Sequence, residues 1–146
     1  MLRLIANRSV FASKRLFEKY ARIFDVASGT VIPEIMKTLE HGGEIWSVCF
    51  SPDGKRFATG CGSNSGIGGD NFARVFDVAS GMEILKTIEH GGIVQSVCFS
   101  PDGKRLATGS ADGFARIFDV SSGSEILKTI EHGSWVRSVR FSPDGK

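Results

Sequence analysis

The sequence predicts an all-β protein built from a repeated four-stranded unit, and three observations carry that prediction. Residues 90–120, HGGIVQSVCFSPDGKRLATGSADGFARIFDV, are closely echoed by residues 41–78 and begun again at His132. Within each copy, short runs alternate apolar and polar residues, the period of a half-exposed strand. Between the runs stand tight-turn signals, and 18 glycines against four prolines fit a chain that reverses often.

Residues 1–19, MLRLIANRSVFASKRLFEK, differ from everything after them. Leu2, Ile5, Val10, Phe11, Leu16 and Phe17, interleaved with basic and small residues, suit an amphipathic helix. No acid precedes Glu18, which resembles a mitochondrial targeting segment. The same stretch also reads as a degraded repeat, RSVFASKRLF against RSVRFSPDGKRLA with the turn lost, or as a frayed terminus. The residues leave all three open.

From Tyr20 the pattern settles. ARIFDV at 21–26 returns as ARVFDV at 73–78 and ARIFDV at 115–120, each followed by a small-residue turn. Next come EIMKTL at 34–39, then EILKTI at 83–88 and again at 125–130, each alternating as an edge strand should. Glu-His and a glycine follow, and then a further strand at 45–50, 94–99 and 136–141. Each of these ends in Ser-Pro-Asp-Gly-Lys, where Pro fixes φ and Gly permits the turn. Residues 55–60 and 104–109 form the returning strand. A short Asp-Gly hairpin, residues 110–113, links back to ARIFDV. In the earlier copy that link is residues 61–71, seven residues longer and rich in glycine, which makes the His41–His90 spacing 49 against 42 for His90–His132. A surface hairpin absorbs such length at small entropic cost. Four short strands in about 40–45 residues are the signature of a propeller blade.

The totals narrow the function. At 41% hydrophobic and 23% charged, the chain can bury a core. A formal charge of +2 argues against nucleic-acid or anionic-membrane partners. Arg3, Arg8, Lys14, Arg15 and Lys19 against Glu18 give residues 1–20 a net +4, so the repeats themselves are not basic. Three cysteines make no disulfide framework. Cys49 and Cys98 stand at equivalent places and read as small packing residues, while Cys61 falls in the longer link. No stretch approaches the ~20 apolar residues that span a bilayer.

These features resemble the WD40 repeat family over residues 20–146. SPDGKRLATGSADG followed by ARIFDV looks like the family's second and third strands, with Glu-His where the family has Gly-His. The family's Trp-Asp is replaced by Phe24-Asp25, Phe76-Asp77 and Phe118-Asp119. The resemblance implies a partial WD40-like β-propeller: two complete four-stranded blades, 44–88 and 93–130, with incomplete ones at 20–39 and 135–146. It also implies a structural hydrogen-bond network of His, Thr and Asp in each blade. The matching residues are His41, Thr59 and Asp70, and then His90, Thr108 and Asp112. Phe lacks the indole N–H that would complete the set.

A hydroxyl, an imidazole and a carboxylate invite comparison with a catalytic triad. The set occurs twice, however, which suits a brace within each blade and not an active site. No enzyme activity, cofactor or metal site is expected. The three histidines lie in different blades, and residues 63–71 lack the lysine of a phosphate loop and the acids of a calcium loop. Residues 79–100 and 121–142 differ at six of 22 positions, and four of the six follow the His: Gly92/Ser134, Ile93/Trp135, Gln95/Arg137 and Cys98/Arg140. The resemblance places the third and fifth positions after each His at a partner-binding rim. These are Glu44 and Trp46, Ile93 and Gln95, Trp135 and Arg137, with Gly69 and Ala111 before the turn aspartates. The alternative is neutral drift with ordinary blade packing.

A closed propeller needs about four to eight blades. The repeats here either form part of a longer protein or are completed by further copies of the chain. The expected function is a scaffold for other proteins or peptides, cytoplasmic unless residues 1–19 direct it to mitochondria.

Overall fold

The computed structural model describes residues 41–63, 70–87, 89–129 and 131–145, and the backbone of three strands nearer the N-terminus. Every element among the described residues is a strand. The first complete sheet is built of β4 (Glu44–Phe50), β5 (Arg56–Gly62), β6 (Ala73–Asp77) and β7 (Glu83–Lys86), paired in chain order and antiparallel throughout. The second repeats it with β8 (Val94–Phe99), β9 (Arg105–Ser110), β10 (Ala115–Asp119) and β11 (Glu125–Lys128). The all-β expectation therefore holds.

The Ser-Pro-Asp-Gly-Lys turns explain the tight β4–β5 and β8–β9 connections. Ser51 Oγ donates to Asp53 Oδ1 at 2.6 Å, and that carboxylate accepts the Lys55 N–H at 3.0 Å. Gly54 sits at φ 70°, where a side chain would be strained. Ser100, Asp102 and Gly103 repeat the arrangement, and the Ser142 hydroxyl donates to Asp144 at 2.6 Å in the third copy.

Nearer the N-terminus, β1 (Arg3–Ile5), β2 (Arg8–Ser13) and β3 (Arg22–Asp25) form a three-stranded antiparallel sheet. Of the three readings left open for residues 1–19, these strands fit a degraded repeat and not an amphipathic helix. They also shift the repeat alignment, because β2 stands beside β3 in the place of a second strand. Phe11 pairs with Phe24 as Phe57 pairs with Phe76 and Leu106 with Phe118. Val-Phe-Ala-Ser is thus the counterpart of Arg-Phe-Ala-Thr, a match without the turn signal that marks the other copies. The expected edge strand at 34–39 lies outside the described residues.

The core lies between sheets. Ala58, Ala73 and Val75 of the first face Val94, Val97, Phe99 and Leu106 of the second, with Cys49 and Leu85 packed against them. Glycine sets the spacing. A Cβ on Gly60 would lie 2.7 Å from the Val94 carbonyl oxygen, so β5 and β8 approach as closely as backbone allows. The Val97 N–H donates to Ser47 Oγ at 3.1 Å across the same interface.

Residues 135–141, expected as a first strand, have no ladder partner among the described residues. They are nevertheless seated as a first strand would be. Val136 N–H donates to the Ser110 carbonyl at 2.9 Å and Val139 N–H to Ser96 Oγ at 3.1 Å. A Cβ on Gly109 would meet the Val136 carbonyl at 2.7 Å, the counterpart of Gly60 on Val94.

Candidate interaction surface

The expected network residues converge in each sheet. His41 Nε2 lies 2.7 Å from Thr59 Oγ1, and His90 Nε2 lies 2.9 Å from Thr108 Oγ1. Both threonines are fully buried and both histidines nearly so. The aspartates reach the backbone just after each His: Asp70 accepts the Gly42 N–H at 3.2 Å, and Asp112 the Gly91 N–H at 3.0 Å. Phe76 and Phe118 set their rings 5.8 Å from His41 and His90, so an aromatic contact stands where an indole N–H would donate. In the third copy, His132 is exposed and lies 3.2 Å from Thr129 Oγ1.

Sequence reasoning missed the cationic half of this arrangement. The Arg74 guanidinium pairs with Asp70 and, at 3.1 Å, with Glu83; Arg116 pairs with Asp112 at 2.7 Å and Glu125 at 3.4 Å. Lys86 and Lys128 lie 3.7 and 3.8 Å from the ring centroids of Phe72 and Phe114. Burial disfavours the Asp112 charge, but hydrogen bonds from Arg116, Phe114 and Gly91 outweigh it and hold the carboxyl below its ordinary range. The signal was present: Arg recurs in every ARxFDV, and Lys in every EIxKT.

The rim positions divide. Trp46 and Gln95 are bulge residues, skipped by ladders that step from Ile45 to Ser47 and from Val94 to Ser96. A bulge redirects a side chain out of the alternating pattern. Trp46 donates its indole N–H to the Gly62 carbonyl at 3.2 Å and is half-buried, as are Glu44, Gln95 and Ala111. Ile93 is a correction: it is 3% exposed and packs beside Gly62, so it fills the interface and offers a partner almost nothing. Trp135 and Arg137 are exposed, with the Arg137 guanidinium 5.6 Å from the Trp135 ring centroid. Gly69 lies outside the described residues.

Of the cysteines, Cys61 departs from expectation, lying in β5 and not in the longer link. Cys61 closes β5, fully buried, with its thiol donating to the Asp70 carbonyl at 2.9 Å, and burial pushes it up to about 11. Cys49 and Cys98 are partly exposed and line one concavity of about 360 Å³ with Arg140. Burial drives the Cys49 thiol up to about 12, which makes it a poor nucleophile at neutral pH. Among the described residues, no group of three or more His, Cys, Asp and Glu could hold a metal ion, and no helix is long and apolar enough to cross a membrane.

The family model described as WD domain, G-beta repeat matches residues 33–77, 82–119 and 124–146. The chain belongs to the WD40 family. Two of the three matched segments end on Asp77 and Asp119, the Asp of each Phe-Asp pair. The matched unit 82–119 begins on the outer strand of the first complete sheet, β7, and ends on the third strand of the second, β10, so it ties those two sheets together. WD40 repeats are generally protein-interaction scaffolds and typically non-enzymatic. A search of curated proteins found no match.

Proposed function

We propose that this chain is a non-enzymatic scaffold that binds partner peptides along the rim formed by the bulged starts of its first strands. The observation that carries this reading is the exposed Trp135–Arg137 pair: an apolar ring and a guanidinium, side by side, of the residue types that dominate interface energetics. The half-buried Glu44, Trp46 and Gln95 extend the surface with charge, aromatic area and amide hydrogen bonds. Catalysis by the His–Thr pairs is disfavoured because Thr59 and Thr108 have no exposed surface from which to attack a substrate.

A displayed random-peptide library selected on the purified chain tests the proposal. Enriched peptides should lose at least about tenfold in affinity when Trp135 and Arg137 are both replaced by Ala, with circular dichroism unchanged. Binding that survives the double replacement would sink the rim assignment.

A second reading, self-association of copies, is favoured by one contrast. Leu85 of β7 is partly covered by the next sheet, whereas its counterpart Leu127 of β11 is 49% exposed.

A further inference from the structure

We infer that Cys49 and Cys98 together form a binding site for a soft monovalent metal ion of the Cu(I) class, held between two sulfurs on neighbouring first strands. The site stands apart from the rim, so it is independent of the scaffold and self-association readings. Ser47 and Cys49 are two apart on β4 and project the same way. Ser47 Oγ accepts the Val97 N–H at 3.1 Å. Two residues further along both strands, a backbone hydrogen bond from Phe99 reaches the Cys49 thiol. The Cys98 thiol donates to the Phe99 carbonyl at 3.4 Å. Both sulfurs therefore sit against one residue, Phe99.

The surroundings choose the ligand. Both thiols line one concavity of about 360 Å³, together with Phe50, Phe99, Phe141 and Arg140. Thiolates select soft ions. Zinc wants four donors, and among the described residues no third His, Cys, Asp or Glu joins this pair. Cu(I), with its filled d shell, is satisfied by two sulfurs in line. The step balances without redox change: each thiol gives its proton to solvent, two S–Cu bonds form, and the copper stays monovalent. Two thiolates and one Cu(I) leave one net negative charge, which the Arg140 guanidinium in the same concavity offsets. The three phenylalanine rings limit the water around it. Cys61 takes no part, because it is fully buried in β5 with its thiol donating to the Asp70 and Phe72 carbonyls.

Anaerobic titration of the reduced full chain with Cu(I), against a colorimetric Cu(I) chelator, should give one ion per chain. X-ray absorption of that complex should read two sulfur ligands. Cys49→Ser and Cys98→Ser should each abolish the site, and Cys61→Ser should keep it. Arg140→Gln should weaken it about tenfold, the scale of losing an outer-shell partner. Burial pushes the Cys49 thiol up to about 12, with Cys98 adding repulsion against the opposing pull of Phe99 and Arg140. Copper must therefore displace a proton, and its affinity should rise with pH. The spectrum of the unaltered chain carries the test even where a variant misfolds. Three or four sulfurs, or one sulfur with nitrogen or oxygen, would overturn the pair. One ion per two chains would overturn it too, because sulfurs of different copies would then meet. Binding that survives loss of both Cys49 and Cys98, or that vanishes in a folded Cys61→Ser chain, moves the site elsewhere. No binding overturns it outright, and none of these outcomes bears on peptide capture by Trp135 and Arg137.

Discussion

The two complete sheets share nearly the same sequence and differ in what lies on them. Val75 on β6 is fully buried and its counterpart Ile117 on β10 is not; Ala73 is sealed and Ala115 is half-exposed. Every residue of β11 is exposed, though β7, with the same EILK, keeps Leu85 partly covered. The lesson is that in a repeat array burial belongs to the neighbour as much as to the residue. Alternation in EILKTI announces a strand with one apolar face, and only the adjacent sheet decides whether that face is dry.

The contrast should show most strongly at the two glycines. Gly60→Val sets branched carbon against the Val94 carbonyl between two full sheets, and should cost about 3 kcal/mol. Gly109→Val makes the same clash with Val136, but a single segment can draw away, so about 1 kcal/mol is expected. Urea unfolding measures both, and equal costs would mean that residues 135–141 are held as firmly as a whole sheet. Leucine truncation gives a smaller split: about 2 kcal/mol for Leu85→Ala and below about 0.5 kcal/mol for Leu127→Ala. A Leu127 cost that grew with protein concentration would instead report a copy covering it.

The smallest difference is in the turns after the third strands. Asp119 accepts hydrogen bonds from the hydroxyls and N–H groups of Ser121 and Ser122, which draw its pKa down to about 2. Asp77 is lowered too, chiefly by the N–H and hydroxyl of Ser80, with alanine at the preceding position. A carboxyl depressed in the folded state stabilises it above the unfolded value of about 3.9, and that contribution disappears as pH falls through the folded value. A carboxyl-resolved NMR titration should therefore place the Asp119 midpoint near 2 with Asp77 above it. The reverse order would mean that Ser121 and Ser122 do not hold the carboxylate in solution.

Much of the fold was legible because the repeats carry local signals. Ser-Pro-Asp-Gly-Lys fixes its turn through contacts five residues or fewer apart, and ARxFDV alternates clearly. β2 was not legible: Val-Phe-Ala-Ser has no turn at its start, and what makes it a strand is the edge of β3, a contact that composition does not encode. The His–Thr pairs came from the resemblance to WD40 repeats, whereas Ile93 was misread because its position after His says nothing of Gly62 beside it. Trp46 and Gln95 were singled out by their place in the series, but the bulge that aims them is a backbone event with no residue of its own.

That bulge has a consequence for how such a chain can change over generations. A residue skipped by the ladder makes no cross-strand pair, so exchanging it leaves strand register and the neighbouring sheet undisturbed. The same site holds Trp, Gln and Arg in three copies that keep the Ser-Val after it and the Phe that closes the strand. The architecture thus separates heritable stability from heritable specificity, and lets the second drift without taxing the first.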